Sequence, residues 1–128
     1  MKILGLILFT FFAFSILCNA QTKKVNSKLE YIEIAKFKLK EGFTTEQFID
    51  AEKAVRNGLI KSQKGFISRE LSTDKDGNWL MDMRFDTKAN MDAWFEALKQ
   101  DPTMKILGSM IDFPTVRMEF LTNKFKIK

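Results

Sequence analysis

The sequence predicts an α+β fold: a ferredoxin-like βαββαβ domain whose four strands form one antiparallel sheet, with both main helices on a single face. Three observations support this. Two segments carry apolar residues at helical spacing behind recognisable N-cap signals. Two β-rich runs are separated only by Asp74-Lys75-Asp76-Gly77-Asn78, whose Asp-Gly step suits a hairpin turn. The second run, Trp79 to Phe85 (WLMDMRF), has one wholly apolar parity in Trp79, Met81, Met83 and Phe85, as expected of a strand covered on that side.

Taken in order, the first strand is expected from Leu29 to Leu39 (LEYIEIAKFKL), rich in β-branched and aromatic residues. Thr44, with Gln47 three residues on, forms a capping box, and Phe43 can meet Phe48 as a hydrophobic staple. Phe48, Ala51, Val55 and Leu59 follow at helical spacing, so the helix should run to about Gln63 and close at Gly65. Gly58 inside it costs about 1 kcal/mol relative to alanine, which packing can absorb. Phe66 to Thr73 is the second strand and Trp79 to Phe85 its antiparallel return.

Asp86 or Thr87 then caps a second helix carrying Met91, Trp94, Phe95 and Leu98. Asp101-Pro102 ends it and starts a short helix, Thr103 to Met110, because proline is tolerated in a first helical turn but not further in. Phe113 to Leu121 reads as the last strand. Residues 29–128 make a single domain, with 21–28 (QTKKVNSK) as a flexible lead-in.

Residues 1–20 are a different kind of segment. Lys2, an apolar run from Ile3 to Leu17 and the small-residue stretch Cys18-Asn19-Ala20 make a secretory signal peptide. The run is short for a membrane span, which needs about 20 apolar residues. Cleavage after Ala20 is expected, with lipidation of Cys18 the competing outcome. The protein should therefore be exported, periplasmic or secreted, without stable membrane insertion once the leader is removed.

Composition excludes several chemistries. The chain contains no histidine and one cysteine, and that cysteine lies in the leader. Disulfides, thiol nucleophiles, triads of the usual kind and most zinc chemistry are thereby disfavoured, so no metal is expected. The formal net charge of +5 is spread along the 128 residues, which favours solubility over a nucleic-acid footprint.

The parities also nominate site residues. With the apolar sides of the third and fourth strands turned to the helices, Leu80, Asp82, Arg84, Arg117 and Glu119 fall on the free face of the sheet. On the last strand, Phe113 and Thr115 share the side of Arg117 and Glu119, opposite Val116, Met118 and Phe120. Glu33 shares its parity with Ala35 and Phe37, and which face it occupies stays open.

The segments EIAKFKLKEGFTTEQF, KSQKGFISREL, DKDGNWLMDMRFD and KANMDAWFEALKQDP together resemble the dimeric α/β-barrel superfamily, in particular the antibiotic biosynthesis monooxygenase domain, over about Glu33 to Leu121. The resemblance implies a homodimer in which two sheets lay their free faces together, each subunit keeping a cavity between its sheet and the partner. It implies chemistries ranging from cofactor-independent oxygenation of phenolic compounds to haem degradation. Trp94 stands where many relatives carry a histidine, and without any histidine the usual proximal haem ligand is missing. No cofactor is therefore expected. Cofactor-free oxygenation needs a dry pocket and a group to accept a phenolic proton. Asp82, Glu119 and Glu33 are candidates for that group, with Arg84 or Arg117 to steady an enolate.

Two functions follow. In one, an exported dimeric protein holds a small apolar or aromatic molecule in a sheet-facing cavity, with Asp82, Arg84, Arg117, Glu119 and Trp94 around it, as a monooxygenase-like enzyme or a binder. In the other, the charged residues are paired off inside a filled barrel, Trp94 is core packing, and the chain is a structural or interaction module.

Overall fold

The computed structural model describes residues 28–127; the expected leader and nearly all of the lead-in lie outside them. The strands are β1 (Tyr31–Leu39), β2 (Phe66–Thr73), β3 (Trp79–Phe85) and β4 (Ile111–Thr122), and the helices α1 (Thr45–Gly58), α2 (Lys88–Leu98) and α3 (Pro102–Ser109). They form one four-stranded sheet in the order β2-β3-β1-β4, with antiparallel neighbours throughout. This is the ferredoxin-like arrangement expected from the sequence.

Local chemistry explains the element ends. The Thr44 side chain accepts the Gln47 backbone N–H at 3.2 Å, and the Gln47 side chain accepts that of Thr44 at 2.9 Å, completing the capping box. Thr87 caps α2 by accepting the Asn90 N–H at 3.1 Å. Asp101 caps α3, accepting the Thr103 and Met104 N–H groups, with Pro102 in the first turn. In the β2–β3 turn, Asp74 accepts the N–H groups of Asp76 and Asn78, both at 2.9 Å, and Gly77 takes a positive φ of 76°.

Two expectations are corrected. The first helix does not reach Gln63: α1 ends at Gly58, where the missing side chain weakens the helix, and a single 3₁₀ turn over Ile60–Ser62 follows. The last strand is not regular. Its register against β1 shifts between Lys36 and Lys38, pairing Lys36 with Arg117 but Lys38 with Asp112. Pro114 lies within the shifted stretch and cannot donate to the ladder; the Thr115 hydroxyl accepts the Lys38 N–H at 2.9 Å instead. The shift turns Phe113 to the helix side, where its ring meets Gly108 of α3, and not to the side of Arg117 and Glu119.

The core lies between the helices and one sheet face. Trp79, Met81, Met83 and Phe85 of β3 are all buried, together with Ala35 and Phe37 of β1, Phe48, Ala51 and Val55 of α1, and Met91 and Trp94 of α2. Phe48 tilts against Trp79 with ring centroids 4.8 Å apart and meets Phe37 edge-on at 5.6 Å.

Gly65 positions the entry to β2. Its φ is +73°, and a Cβ there would collide with the Asp86 carboxylate and the Asn90 amide. Those two groups are hydrogen-bonded to each other at 2.7 Å, while the Asp86 N–H donates to the Gly65 carbonyl at 2.9 Å. Gly65→Ala therefore adds a steric clash to a left-handed backbone. A loss of about 2 kcal/mol is expected, seen as a melting temperature lower by roughly 10 °C.

Candidate functional site

The site residues expected from the sequence divide between two faces. Asp82 and Arg84 lie on the free face and pair with each other along β3: Arg84 Nε donates to Asp82 Oδ1 at 2.8 Å and Nη2 to Oδ2 at 2.9 Å. Arg84 Nη1 also reaches Glu30 Oε2 at 3.0 Å, and Lys126 Nζ reaches Glu30 Oε1 at 2.8 Å. The result is one chain of alternating charges. The Lys126 and Arg84 contacts hold the Glu30 carboxyl below the usual range, and those to Asp82 and Glu30 hold the Arg84 guanidinium firmly protonated.

Arg117 and Glu119 are not brought into this network. Arg117 donates to the Pro114 and Val116 carbonyls at 3.1 and 2.7 Å, and Glu119 is exposed. A depression of about 480 Å³ on this face lies at the hairpin end, beside Lys36, Lys38, Leu80 and Thr115, and stops short of Asp82 and Arg84.

Trp94 belongs to the opposite layer. With Ala35, Phe37, Met81, Phe95, Leu107 and Met118 it lines a cavity of about 590 Å³ between the helices and the sheet. Glu33 projects into this side too, since its neighbours in register are Met83 on β3 and Phe120 on β4. The residue is 5 % exposed. Neither Glu33 Oε2 nor Trp94 Nε1 has a hydrogen-bond partner among the described residues, although both atoms are buried. Burial pushes the Glu33 carboxyl above the usual range, while the nearby Arg69 guanidinium and Trp94 indole pull the other way. Carboxylate and indole are thus neighbours that fall short of hydrogen-bond geometry with each other.

One further ionic element borders the cavity. Arg69 of β2 forms a two-point ion pair with Glu52 of α1, Nε to Oε2 at 2.9 Å and Nη2 to Oε1 at 2.6 Å. Both side chains are close to nine-tenths buried. Arg69 Nη1 also lies 3.4 Å from Met83 Sδ. Arg69 faces the helices because β2 shifts register against β3 between Phe66 and Ser68. Sequence reasoning did not single out Glu52 or Arg69. The available signal was Glu52 itself, an acidic residue on the buried stripe of α1 with Phe48, Ala51 and Val55, where a charge requires a counter-charge.

The described residues thus define the class of ferredoxin-like α+β domains, here with a largely apolar cavity between helices and sheet and two unpartnered polar groups at one wall. Within that class the chain belongs to the antibiotic biosynthesis monooxygenase family, whose model matches residues 30–100.

Solved structures share this fold. SnoaB, a cofactor-independent oxygenase from Streptomyces nogalater, in a mutant form, superposes with a TM-score of 0.63 at 12% identity, covering 77% of this chain and 96% of its own. A monooxygenase from the gene ActVA-Orf6 of Streptomyces coelicolor, in complex with the ligand nanaomycin D, gives 0.58 at 14% identity, covering 79% and 93%. A putative antibiotic biosynthesis monooxygenase from Bordetella bronchiseptica gives 0.60 at 14% identity, covering 77% and 98%. No curated protein matches the sequence significantly.

Proposed function

We propose that the protein takes a small hydroxylated aromatic molecule into the cavity beneath its helices and oxidises it with dioxygen, without a cofactor. The observation that carries this reading is the buried pair of unpartnered groups, Glu33 Oε2 and Trp94 Nε1, on the wall of a largely apolar space. A buried polar atom left unsatisfied costs free energy, and a ligand hydroxyl satisfies both groups at once, donating to the carboxylate and accepting from the indole. The family membership and the oxygenase among the similar folds support the same reaction class.

The chemistry follows from the placement. Ionised Glu33 accepts the phenolic proton, and the Trp94 N–H steadies the phenolate oxygen. The phenolate ring passes electrons to dioxygen, and a carbon–oxygen bond forms at the free para carbon. Protonated Glu33 returns its proton to the peroxide oxygen, and the resulting hydroperoxide loses water to leave a quinone. A phenol and one dioxygen thus become a para-quinone and one water, with no other reductant consumed. The apolar walls exclude bulk water from the phenolate.

1-Naphthol tests the reading. Stabilisation of the folded protein, with dioxygen uptake matched by 1,4-naphthoquinone formation, is the expected result. Stabilisation without uptake would overturn the enzymatic part and leave a binding module. No effect of this phenol or of other hydroxylated aromatics on melting temperature or dioxygen level would overturn both.

The free face supports a second part of the proposal, a homodimer. Leu121 there is half exposed, while Asp82, Arg84, Glu30 and Lys126 already neutralise one another, so covering the face with a second copy adds no unpaired charge from that network. The mature protein should run as a dimer in light scattering at micromolar concentration; a monomer would contradict this. The leader supports the third part, export. An N-terminus beginning at Gln21 in protein recovered outside the cytoplasm is the expected result, and retention of residues 1–20 would contradict it.

A further inference from the structure

Five ionisable residues border the cavity: Glu33, Lys40, Glu52, Arg69 and Lys105. Arg69 and Glu52 cancel in their two-point ion pair. The three that remain are unevenly placed. Glu33 is buried midway along β1, whereas Lys40, just past the end of that strand, and Lys105 on α3 are both exposed. Neither lysine forms a salt bridge among the described residues. The Lys40 backbone N–H donates to the Met110 carbonyl at 2.8 Å, immediately after α3, so the end of β1 and the end of α3 meet at the same rim. The seven residue steps from Glu33 to Lys40 span roughly 20 Å of extended chain, with the apolar side chains of Ala35 and Phe37 between.

From this polarity we infer that the preferred substrates are elongated hydroxyaromatic acids, bound with the hydroxyl at Glu33 and Trp94 and the carboxylate at the rim beside Lys40 and Lys105. The inference rests on the proposed cavity and adds an orientation to it. A carboxylate at the rim keeps part of its hydration while gaining two cations, so it loses little by desolvation. Placed at the inner end, the same group would face the Glu33 carboxyl in a dry pocket. The arrangement therefore selects for acids of one polarity and against short ones, in which hydroxyl and carboxylate lie side by side.

The test compares 6-hydroxy-2-naphthoic acid, whose polar groups lie at opposite ends of the ring system, with its neutral methyl ester. Fluorescence titration of the full mature protein should show the acid bound about tenfold more tightly than the ester at low salt. That preference should shrink as ionic strength rises. In the Lys40→Met/Lys105→Met double variant, both ligands should bind with similar affinity, because the acid alone weakens. Equal affinities in the wild type, or an acid preference surviving in the double variant, would overturn the inference while leaving the cavity intact. Binding of neither ligand would overturn the cavity reading as well. Circular dichroism of the variant separates lost binding from lost fold, and the exposed lysines are not expected to affect the latter.

Discussion

Replacing Arg69 with methionine should destabilise the protein by about 3–5 kcal/mol, the usual cost of removing one partner from a buried ion pair. Glu52 would then be left 7 % exposed with no counter-charge, and Glu33, at 5 %, would lose the nearest cation that offsets its burial. The loss should be larger at neutral pH than in acid, because Arg69 offsets the burial of the Glu33 carboxylate only while that group is ionised. Urea denaturation checks this. The paired replacement Arg69→Met with Glu52→Leu should recover much of the stability, because an apolar pair of similar volume has no charge to strand. A loss below about 1 kcal/mol for the single variant would mean that water reaches Glu52 and that the pair behaves as a surface salt bridge.

Glu33→Gln should act in opposite directions on activity and on stability. As proton acceptor, Glu33 is expected to contribute about 10²–10⁴-fold to the oxidation rate, so the amide should bind 1-naphthol yet turn it over very slowly. Stability should rise. The carboxyl titrates higher in the folded chain than in the unfolded one, so its contribution to stability is fully present below the unfolded value and is lost as pH climbs through the folded value. The glutamine variant has no such loss. Its advantage over the wild type should be absent in acid and should grow above the ordinary carboxylate range, as read from melting temperature against pH. A variant that is both less stable at pH 8 and fully active would remove Glu33 from the account.

Under the proposed function the two effects are connected, because the burial that costs the fold is what places the Glu33 carboxyl at the cavity wall. The Asp82–Arg84–Glu30–Lys126 network is different: every member has a partner, and nothing in its geometry asks for a ligand.

Why the sequence pointed to the free face is plain from particular residues. Alternation along Trp79 to Phe85 and the signals at Thr44, Thr87 and Asp101 are local, and local chemistry survived folding intact. The site was less legible because it depends on two register shifts. One, at the start of β2, turns Arg69 toward Glu52; the other, around Pro114, turns Phe113 toward the cavity. Period-two counting assumes unbroken strands, and a single irregularity reverses every assignment beyond it. Pro114 was a readable warning of the second shift, whereas the first has no comparable marker. Glu33 carried its own signal, a carboxyl sharing a parity with Ala35 and Phe37, but whether that parity faced helices or solvent was a tertiary question.

The chain's two tryptophans allow a direct check on where a ligand sits. Trp94 lines the cavity with its indole nitrogen unpartnered, whereas Trp79 packs on Phe37 and Phe48 near the hairpin. In ¹⁵N-labelled protein titrated with 1-naphthol, the Trp94 indole N–H resonance should move downfield as it gains an acceptor, while that of Trp79 stays nearly still. A bound ligand that shifts Trp79 and the free-face amides of Asp82 and Arg84, leaving Trp94 untouched, would contradict the account.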